Sequence, residues 1–438
     1  MEKFEIDSND EAEKFDYKQS KKKRAKQKKN KKYKFIKPII ITILFMISLI
    51  ILILYLYKTF DENRKKFLSN QYYKVLIGDI GGIHSRLRLL NMTSNISVTP
   101  TLIKELNETT ISFKTLEELI TKFISDIDQQ YKPDYAFLGL PGPIEDNCII
   151  TLPNIPQWGS SNGTELGKKL GLKKLIFIND FVGDGYAIQT NLVEKKDYIV
   201  LNKVQPKKNG AKLMIGPGTG LGMGFLLKNE NDKNGYYTIG SSEGGGRDYA
   251  PKTKFDFNLR NFIKSETGLA NISLETICSA RALILIYKFL HITENDNDDN
   301  NPKLKREPNL AKKIDNFHDY KEINKIHEIN SELIKKGLNR ECQLSRRVLL
   351  VFIEIYGEIA GDLALFTLAS NGVYLLGRLS RELTPLILEN TIFMNHFKNK
   401  DHFWFLLERI PVYLVQNENI ELIGVTEAAR RFFEENEN

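Results

Sequence analysis

The chain has 438 residues, 27% of them charged, and a formal net charge of +8. That length exceeds one ordinary hydrophobic core and predicts two compact lobes. The first 66 residues hold 18 lysines and arginines against 9 acidic residues, whereas the remainder is close to neutral. Because the remainder lacks the basic face of a nucleic-acid-binding domain, we expect no nucleic-acid partner. Three scattered cysteines exclude a disulfide framework and a cysteine-based zinc site.

Two segments precede the folded part. Residues 1–37 form a basic arm, in which 12 of the 20 residues from 18 to 37 are lysine or arginine. Such a run has no apolar face and predicts disorder. Residues 38–57 carry no charge, and a helix of that length spans a hydrocarbon core of about 30 Å. No small-residue cleavage site follows, so we predict a single-pass membrane protein with a linker at 58–73.

The side of the membrane is left open by the flanking charges. The basic arm places the N-terminus in the cytosol by the positive-inside rule, with the rest of the chain on the far side. Lys58, Arg64, Lys65 and Lys66 follow the span closely and weaken that asymmetry. Five sequons for N-glycosylation would be usable outside the cytosol: Asn91, Asn95, Asn107, Asn162 and Asn271.

Beyond Tyr72, short apolar strands alternate with helical segments, which predicts an α/β fold. Four strands, at 74–79, 135–140, 175–178 and 212–215, each run into a polar or glycine-rich loop. Ligands of α/β proteins bind beyond such strand ends. Residues 293–340 begin with an Asn/Asp-rich stretch and predict a disordered insertion. The apolar segment 346–368 predicts a long buried helix.

Two loops are candidates for phosphate binding. Gly81 and Gly82 allow backbone N–H groups to approach phosphate oxygens, and Asp79 before them can hold Mg²⁺ through water. A plain hairpin turn is the alternative. Residues 216–222 contain four glycines and Thr219 after another strand, but they match neither a Rossmann fingerprint nor a Walker A loop. A structural turn is again the alternative.

Four polar residues are candidates for substrate chemistry. Asp180 follows an apolar strand, where a carboxylate can accept the proton of a hydroxyl that attacks a phosphoryl group. Asn179 and Asp180 also fit a helix N-cap. Glu243 and Glu275 are candidate acceptors for sugar hydroxyls, although each alone also fits a surface carboxylate.

The order of motifs resembles the bacterial-type glucokinase family of the hexokinase and actin ATPase superfamily. The motifs are GDIGG, LGLPGPI, FINDF, IGPGTGLG, EGGGRDYAP, SLETICS, NGVYLLG and IPVYLV, from about residue 74 to 431. The resemblance implies a two-lobed sugar-kinase fold of the actin-like ATPase type. The small lobe would be 74–190, completed by about 418–438, and the large lobe 191–417. It also implies phosphoryl transfer from Mg·ATP to the 6-hydroxyl of glucose, with a homodimer as one candidate assembly.

The resemblance assigns roles residue by residue. Asp180 matches the catalytic base, and Asp79 is the metal position. The sugar-binding positions are Asn179, Asp180, Gly220, Glu243 and Glu275. The nucleotide-binding positions are Asp79, Gly81, Gly82, Gly218, Thr219, Gly220, Gly222, Gly372 and Gly377.

The chain departs from the family pattern at four candidate site positions and in the turn after Glu275, where Ser-Gly-x-Gly becomes Ser279-Ala280-Arg281-Ala282. Ile83 and His84 replace Thr-Asn in the first loop, Gly246 replaces a histidine that contacts the sugar, and Arg378 replaces a glycine of the adenosine motif. Losing a hydrogen bond typically costs about 0.5–1.5 kcal/mol. The sequence therefore predicts a membrane-anchored glucokinase. The alternative is a catalytically weakened, glucokinase-like sugar-binding or scaffold protein.

Overall fold

The computed structural model describes residues 17, 20–26, 28, 42–61, 71–152, 155–190, 195–293, 304–389 and 391–437. The chain divides into one unit of residues 1–70 with 437–438 and a second unit, Gln71–Asn436. In the first unit, helix α1 (Thr42–Asp61) has a mean hydropathy of 2.3 and is long and apolar enough to cross a membrane. It overlaps the predicted span at residues 42–57, and residues 38–41 lie outside the described part.

The basic arm contains helical residues. Residues 17, 20–26 and 28 are helical, so the prediction of a wholly disordered arm is wrong there. Lysine, arginine, alanine and glutamine all have high helix propensity, which competes with charge repulsion in this stretch. The Ser20 hydroxyl donates to the Tyr17 carbonyl oxygen at 3.0 Å. The other residues predicted as arm or linker before Gln71 lie outside the described residues.

The first sheet of the second unit has five strands in the order β3-β2-β1-β4-β8. The strands are β1 (Tyr73–Ile80), β2 (His84–Met92), β3 (Thr101–Thr109), β4 (Tyr135–Leu140) and β8 (Lys174–Asn179). Short strands β5 (Ile144–Glu145), β6 (Cys148–Ile149) and β7 (Ser161–Asn162) form a separate small sheet. Strands β1, β4 and β8 run parallel, so their carboxyl ends meet at one edge.

Helices cover both faces of the first sheet. One face packs on α2 (Leu116–Ser125) and α3 (Gly163–Lys169). The other face packs on α4 (Asp180–Ile188) and on α15 (Ile420–Glu437), the last helix of the chain. Burial on both faces explains why β1 and β4 are continuous apolar runs in the sequence.

The second sheet has six strands in the order β12-β11-β10-β13-β14-β9. Its strands are β9 (Tyr198–Val200), β10 (Lys212–Pro217), β11 (Leu221–Lys228), β12 (Tyr237–Ser242), β13 (Gly372–Leu375) and β14 (Val412–Val415). The surrounding helices are α5 (Lys254–Thr267), α6 (Leu274–Ile277), α7 (Ala280–Thr293), α8 (Pro308–Asp315), α9 (Ile323–Leu338), α10 (Gln343–Thr367), α11 (Arg378–Glu382), α12 (Thr384–Glu389), α13 (Ile392–Lys398) and α14 (Trp404–Leu407). Strands β10, β13 and β14 are parallel. The predicted long helix is confirmed as α10, whereas the predicted lobe boundaries stay a prediction.

The predicted disordered insertion is wrong over most of its length. Within 293–340, helices α8 and α9 are well formed, and residues 294–303 lie outside the described part. Ile326, Ile329 and Leu333 repeat at helical spacing on one face of α9 and are buried in the core of the second sheet. The Asn/Asp-rich start of the segment concealed this apolar period, which begins only at Leu310.

Candidate active site

The carboxyl ends of the parallel strands bring the predicted loops into one cleft. In the first sheet, Asp79 pairs with Gly139 and Leu140 with Asn179, so the loops after β1, β4 and β8 are neighbours. In the second sheet, the loop after β10 lies beside the end of β13. Loops from both sheets line two adjoining cavities, of about 460 and 330 Å³.

The two cavities share a junction. Eight residues line both of them: Gly81, Gly82, Arg86, Gly218, Thr219, Arg378, Arg381 and Glu418. Among the other predicted site residues, Asp79 lines the larger cavity. The smaller cavity is lined by Asn179, Asp180, Gly220, Gly222, Glu243, Glu275 and Gly377. The junction therefore contains both predicted phosphate loops, and the predicted sugar ligands all lie on one side of it.

Gly372 lines neither cavity. It lies at the amino end of β13, where its φ is 134° and an added Cβ would overlap the Tyr413 ring. The cleft gathers the carboxyl ends of the parallel strands, so a residue at the opposite end of the strand lies away from it. Gly372 therefore lies apart from both cavities, and the nucleotide-binding role predicted for it stays a prediction.

Asn179 and Asp180 begin helix α4 and line the smaller cavity. Asn179 is the N-cap: its Oδ1 accepts from the Val182 N–H at 3.1 Å, and its Nδ2 donates to the Gly142 carbonyl at 3.1 Å. Asp180 Oδ1 accepts from its neighbour, Phe181 N–H, at 2.9 Å. The pair therefore both caps helix α4 and lines the cavity. The hydrogen bonds of the Asn179 cap fix the end of β8, and Asp180 follows directly.

Burial, with the nearby carboxylates of Asp79 and Glu243, raises the pKa of Asp180 to about 7 against the lowering effect of the Phe181 N–H. A carboxyl group with a pKa near neutrality exchanges a proton readily with a hydroxyl substrate. Perturbation of this kind is typical of residues that act in catalysis.

Glu243 and Glu275 form the far wall of the smaller cavity. Glu275 Oε2 accepts from the Leu221 N–H at 3.1 Å, and its other oxygen lies 3.8 Å from the Arg281 guanidinium. Burial, and then the charge of Glu275, raise the pKa of Glu243. An added Cβ on Gly220 would overlap the Glu275 carboxylate, so glycine at that position gives Glu275 its room.

The glycine loops are turns whose inner N–H groups are already bonded. Gly81 N–H donates to the His84 carbonyl at 2.9 Å, and Gly218 N–H donates to the Gly220 carbonyl at 2.8 Å. Within the described part of the chain, the N–H groups of Gly82 and Thr219 donate to no backbone acceptor. Both groups lie at the junction and are available to bind phosphate oxygens.

Arg86 is a site residue that the sequence analysis missed. Its Nε donates to Asp79 Oδ2 at 2.8 Å, and a second nitrogen contacts the same oxygen. It also donates to the Glu418 carbonyl at 2.9 Å and to Asn419 Oδ1 at 3.1 Å. Arg86 thus joins the first phosphate loop to the start of α15. In the sequence, only its position four residues after Gly82 indicated that Arg86 could belong to the site.

Two further acids, Asp184 and Glu421, were also missed. Asp184 follows Asp180 by one helical turn on α4, is 7% exposed, and its Oδ1 has no hydrogen-bond partner among the described residues. Burial and then Asp180 raise the pKa of Asp184 well above its usual range. Burial, followed by Asp79, does the same to the pKa of Glu421. The i, i+4 spacing of Asp180 and Asp184 could have signalled their common face.

Several of the departures from the family pattern lie around the larger cavity. Ile83 and His84 line it, as does Arg378. Arg378 donates to Glu382 at 2.5 Å and to His327 Nδ1 at 2.9 Å. Gly246 lines neither cavity, and an added Cβ there would meet no atom within 4 Å.

The residues present fit a magnesium site only in part. Within the described ranges, no group of three or more His, Cys, Asp or Glu residues could hold a metal ion. Magnesium in phosphoryl-transfer sites keeps several waters and needs only one or two carboxylates together with the nucleotide phosphates. Asp79 beside the first loop fits that role through its Oδ1, because Arg86 binds its Oδ2.

Two helix-flanked sheets with phosphate loops and a carboxylate-lined cavity in one cleft define a sugar kinase that uses a nucleotide. Residues 76–432 match the sequence model of the Glucokinase family. The glucokinase of Nostoc sp. (strain PCC 7120 / SAG 25.82 / UTEX 2576) is 30% identical over 359 residues, which cover 82% of this chain and 99% of that protein. The chain belongs to the glucokinase family.

Solved structures confirm the predicted α/β sugar-kinase fold. The glucokinase from an Antarctic psychrotroph has a TM-score of 0.63 at 23% identity, and the match covers 82% of this chain and all of that one. The glucokinase from Balamuthia mandrillaris in complex with glucose also has a TM-score of 0.63, at 18% identity, with 85% and 99% covered.

Proposed function

We propose that this protein transfers the γ-phosphoryl group of ATP to the 6-hydroxyl group of glucose, with Asp180 as the proton acceptor. The observation that carries the proposal is the position of Asp180. It lines the smaller cavity, which meets the larger one at the two glycine loops, and its pKa is raised to about 7. Membership of the glucokinase family supports both ATP and glucose as substrates.

The arrangement of the cavities supports a separate place for each substrate. Glucose lies in the smaller cavity, where Glu243 and Glu275 accept hydrogen bonds from its hydroxyl groups and the Asn179 amide adds one more. The terminal phosphate of ATP lies at the junction, within reach of the Gly82 and Thr219 N–H groups. The rest of the nucleotide occupies the larger cavity.

Phosphoryl transfer then follows from these positions. The 6-hydroxyl oxygen of glucose attacks the γ-phosphorus, the bond from that phosphorus to the bridging oxygen of ADP breaks, and Asp180 takes the hydroxyl proton. The Gly82 and Thr219 N–H groups hold the phosphate oxygens during the transfer. Mg²⁺ bound to the phosphates would supply further charge stabilisation, and Asp79 is the residue that would hold it, through water.

A coupled assay for ADP release tests the function. The full-length chain in detergent micelles is given Mg·ATP and, separately, glucose, mannose, fructose or galactose. We expect ADP release with glucose and none without sugar. A protein that binds glucose by calorimetry but releases no ADP with any hexose would contradict the proposal.

A sugar-binding protein with weakened catalysis is the second candidate. The observation that favours it is Ile83, whose side chain offers no hydrogen bond where it lines the larger cavity. The position of Arg378 weighs against it, because its bonds to Glu382 and His327 hold the guanidinium on the cavity wall. Asp180, Glu243 and Glu275 are also all in place. We therefore favour the enzyme.

Attachment to a membrane through residues 38–57 is part of the proposal. Helix α1 supports it by its length and mean hydropathy. We propose that the kinase lies on the side that holds ATP, the cytosol. The sequon residue Asn107 lines the larger cavity, so a glycan there would compete with the nucleotide. This argument opposes the orientation that the flanking charges favour.

A further inference from the structure

Large apolar side chains are exposed at the amino end of the second sheet. Helix α10 ends there between Phe366 and Leu368, which are 80% and 62% exposed. Helix α14 packs against α10 and begins with Trp404, which is 53% exposed, and its neighbours Phe403 and Phe405 are exposed as well. Clustered exposed apolar side chains of this size mark an interaction site.

A basic loop connects the two helix ends. The loop between β9 and β10 bonds to both of them: the Asn202 amide donates to the Glu408 carbonyl at 3.0 Å, and the Lys207 N–H donates to the Ser370 carbonyl at 2.9 Å. The exposed cations of this loop are Lys203, Lys207 and Lys208. The apolar residues of the two helix ends and these three lysines are called the basic-aromatic patch below.

The composition of the basic-aromatic patch fits a lipid surface better than a protein surface. Arg409 adds to the charge of the lysines, whereas Asp401 and Glu408 reduce it, so the surroundings of the patch stay net positive. Protein interfaces are depleted in lysine. An anionic lipid surface attracts lysine, and tryptophan is enriched at the level of the lipid headgroups.

The second unit begins close to the apolar helix in the sequence. Helix α1 ends at Asp61 and the second unit begins at Gln71. An extended chain of that length reaches at most about 35 Å. The strand that follows, β1, starts at Tyr73, whose ring stacks on Phe433 of α15 with 3.9 Å between the ring centroids.

A series of contacts leads from this start of β1 to the basic-aromatic patch. Arg430, on the same helix as Phe433, donates to the Tyr236 hydroxyl at 2.8 Å. The hydroxyl of the next residue, Tyr237, accepts from the Asn371 amide at 2.7 Å, and Asn371 follows the residue that bonds to the basic loop. The start of β1 and the patch therefore lie at one end of the second unit, whereas the cleft lies at the carboxyl ends of the strands.

We propose that the basic-aromatic patch docks the second unit on the headgroup layer of an anionic membrane, with Trp404 among the headgroups and the lysines against lipid phosphates. The inference rests on the membrane attachment proposed above, which keeps the membrane within reach of the patch. Docked in this way, the patch turns the cleft away from the lipid and toward water, where both substrates are dissolved.

Tryptophan emission tests the docking. The chain has two tryptophans, and Trp158 is buried in the core of the first sheet. Full-length protein is reconstituted into phosphatidylcholine vesicles with or without phosphatidylserine, and the lipids carry bromine on their acyl chains. Trp404→Phe leaves Trp158 as the background signal. We expect at least about a twofold loss of Trp404 emission in the vesicles with phosphatidylserine, because an interfacial indole lies within reach of the acyl chains.

Charge reversal assigns the docking to the lysines. Each lysine near an anionic surface favours the docked state about fivefold, so Lys203→Glu, Lys207→Glu and Lys208→Glu together should lower the ratio of docked to undocked protein at least about 100-fold. Trp404 should then emit as it does without phosphatidylserine. The matched control replaces three exposed lysines of the α8–α9 segment, Lys312, Lys321 and Lys335, with glutamate and should keep the quenching. Thermal unfolding confirms that both variants are folded.

The outcomes separate the docking from the attachment. Protein that resists carbonate extraction but shows no quenching of Trp404 would overturn the inference and leave the attachment standing. Quenching at neutral pH in a protein that carbonate extracts would refute the attachment and leave the docking standing. Dimers that are lost in Trp404→Phe, without quenching by lipid, would assign the patch to a second copy of the chain and overturn the inference.

Discussion

Gly222 faces the ring of Phe181 so closely that an added Cβ would overlap the ring atoms. Phe181 follows Asp180 directly and donates its N–H to that carboxylate. Glycine at this position lets strand β11 approach the residue that follows Asp180, and the phosphate-binding role predicted for Gly222 stays a prediction.

Gly222→Ala should consequently damage both stability and rate. Overpacking of a filled site typically costs about 1–3 kcal/mol. The displaced Phe181 would also move Asp180. We expect a lower free energy of unfolding in urea and a reduced kcat. Gly218→Ala is the control for stability, since an added Cβ there meets no atom within 4 Å. Equal unfolding curves for the two variants would contradict this prediction, because they would show that Phe181 moves aside without loss of stability.

The second prediction concerns the base. Asp180→Asn should lower kcat about 10²- to 10⁴-fold, the range for general base catalysis, and change glucose affinity far less. Asp180 must be deprotonated to accept a proton, and its pKa is raised to about 7. The wild-type rate should therefore fall as the pH drops through about 7. Steady-state kinetics from pH 5 to 9 tests both effects.

Asp128→Asn is the matched control for Asp180→Asn. Asp128 is exposed and makes no capping bond, so its removal should leave the pH profile unchanged. Wild-type turnover in Asp180→Asn would mean that another group accepts the proton. A profile without a fall near neutrality would mean that the carboxylate is ionised in the bound complex at lower pH.

A third prediction concerns Ile83 and His84, which line the larger cavity. Replacing them with Thr and Asn restores a hydroxyl and an amide beside the nucleotide. The double variant should lower KM for ATP or raise kcat about 2- to 10-fold, as expected for one or two added hydrogen bonds. Ile111→Thr, at a position 51% exposed, controls for the change of residue type. An unchanged or lower rate would indicate that this loop works with its own residues.

The fourth prediction concerns sugar selectivity. Gly246 is in open space, so Gly246→His introduces an imidazole without a clash. The resemblance to the family implies a sugar-binding histidine at this position, so we expect the variant to bind glucose more tightly and to discriminate better against mannose and galactose. Calorimetry with the three sugars measures this, and Gly246→Ala separates the imidazole from the backbone effect. Tight, glucose-only binding by the wild type would contradict the prediction.

A fifth prediction concerns the membrane. Full-length protein should resist extraction from membranes by alkaline carbonate, because α1 is long and apolar enough to span. Replacing Ile50 and Leu52 with lysine should release it. Added protease should reach the kinase on sealed vesicles with an outward cytosolic face, and glycosidase should not change its mass. A protected, glycosylated domain would contradict the cytosolic placement and favour the sugar-binding candidate.

The sequence predicted the parts of the site that are contiguous in the chain. Asp180, the glycine loops and Glu243 each sit in a short motif at a strand end, Glu275 sits in a short motif that forms helix α6, and the structure brings them to one cleft. Arg86 and Glu421 were missed because their roles depend on contacts between residues more than 300 positions apart. No local pattern reports such a contact.

Helix α9 was missed for a different reason. Composition was averaged over 293–340, so the acidic stretch outweighed the apolar residues that pack against the second sheet. A window that began at Leu310 would have shown the helical period. The error matters for function, because His327 and Asn330, which line the larger cavity, belong to the segment that the prediction left without structure.

Helix α15 covers one face of the first sheet, and the Glu418 carbonyl just before it accepts from Arg86. The strands beneath this helix are synthesised early in translation, whereas α15 itself is synthesised last. The ribosome adds about 5–20 residues per second, so β1 waits tens of seconds for its partner. During that wait α1 has already left the exit tunnel. With the membrane attachment proposed above, insertion of α1 would precede completion of the active site, and a chain that lost its last 20 residues would leave this face of the first sheet uncovered.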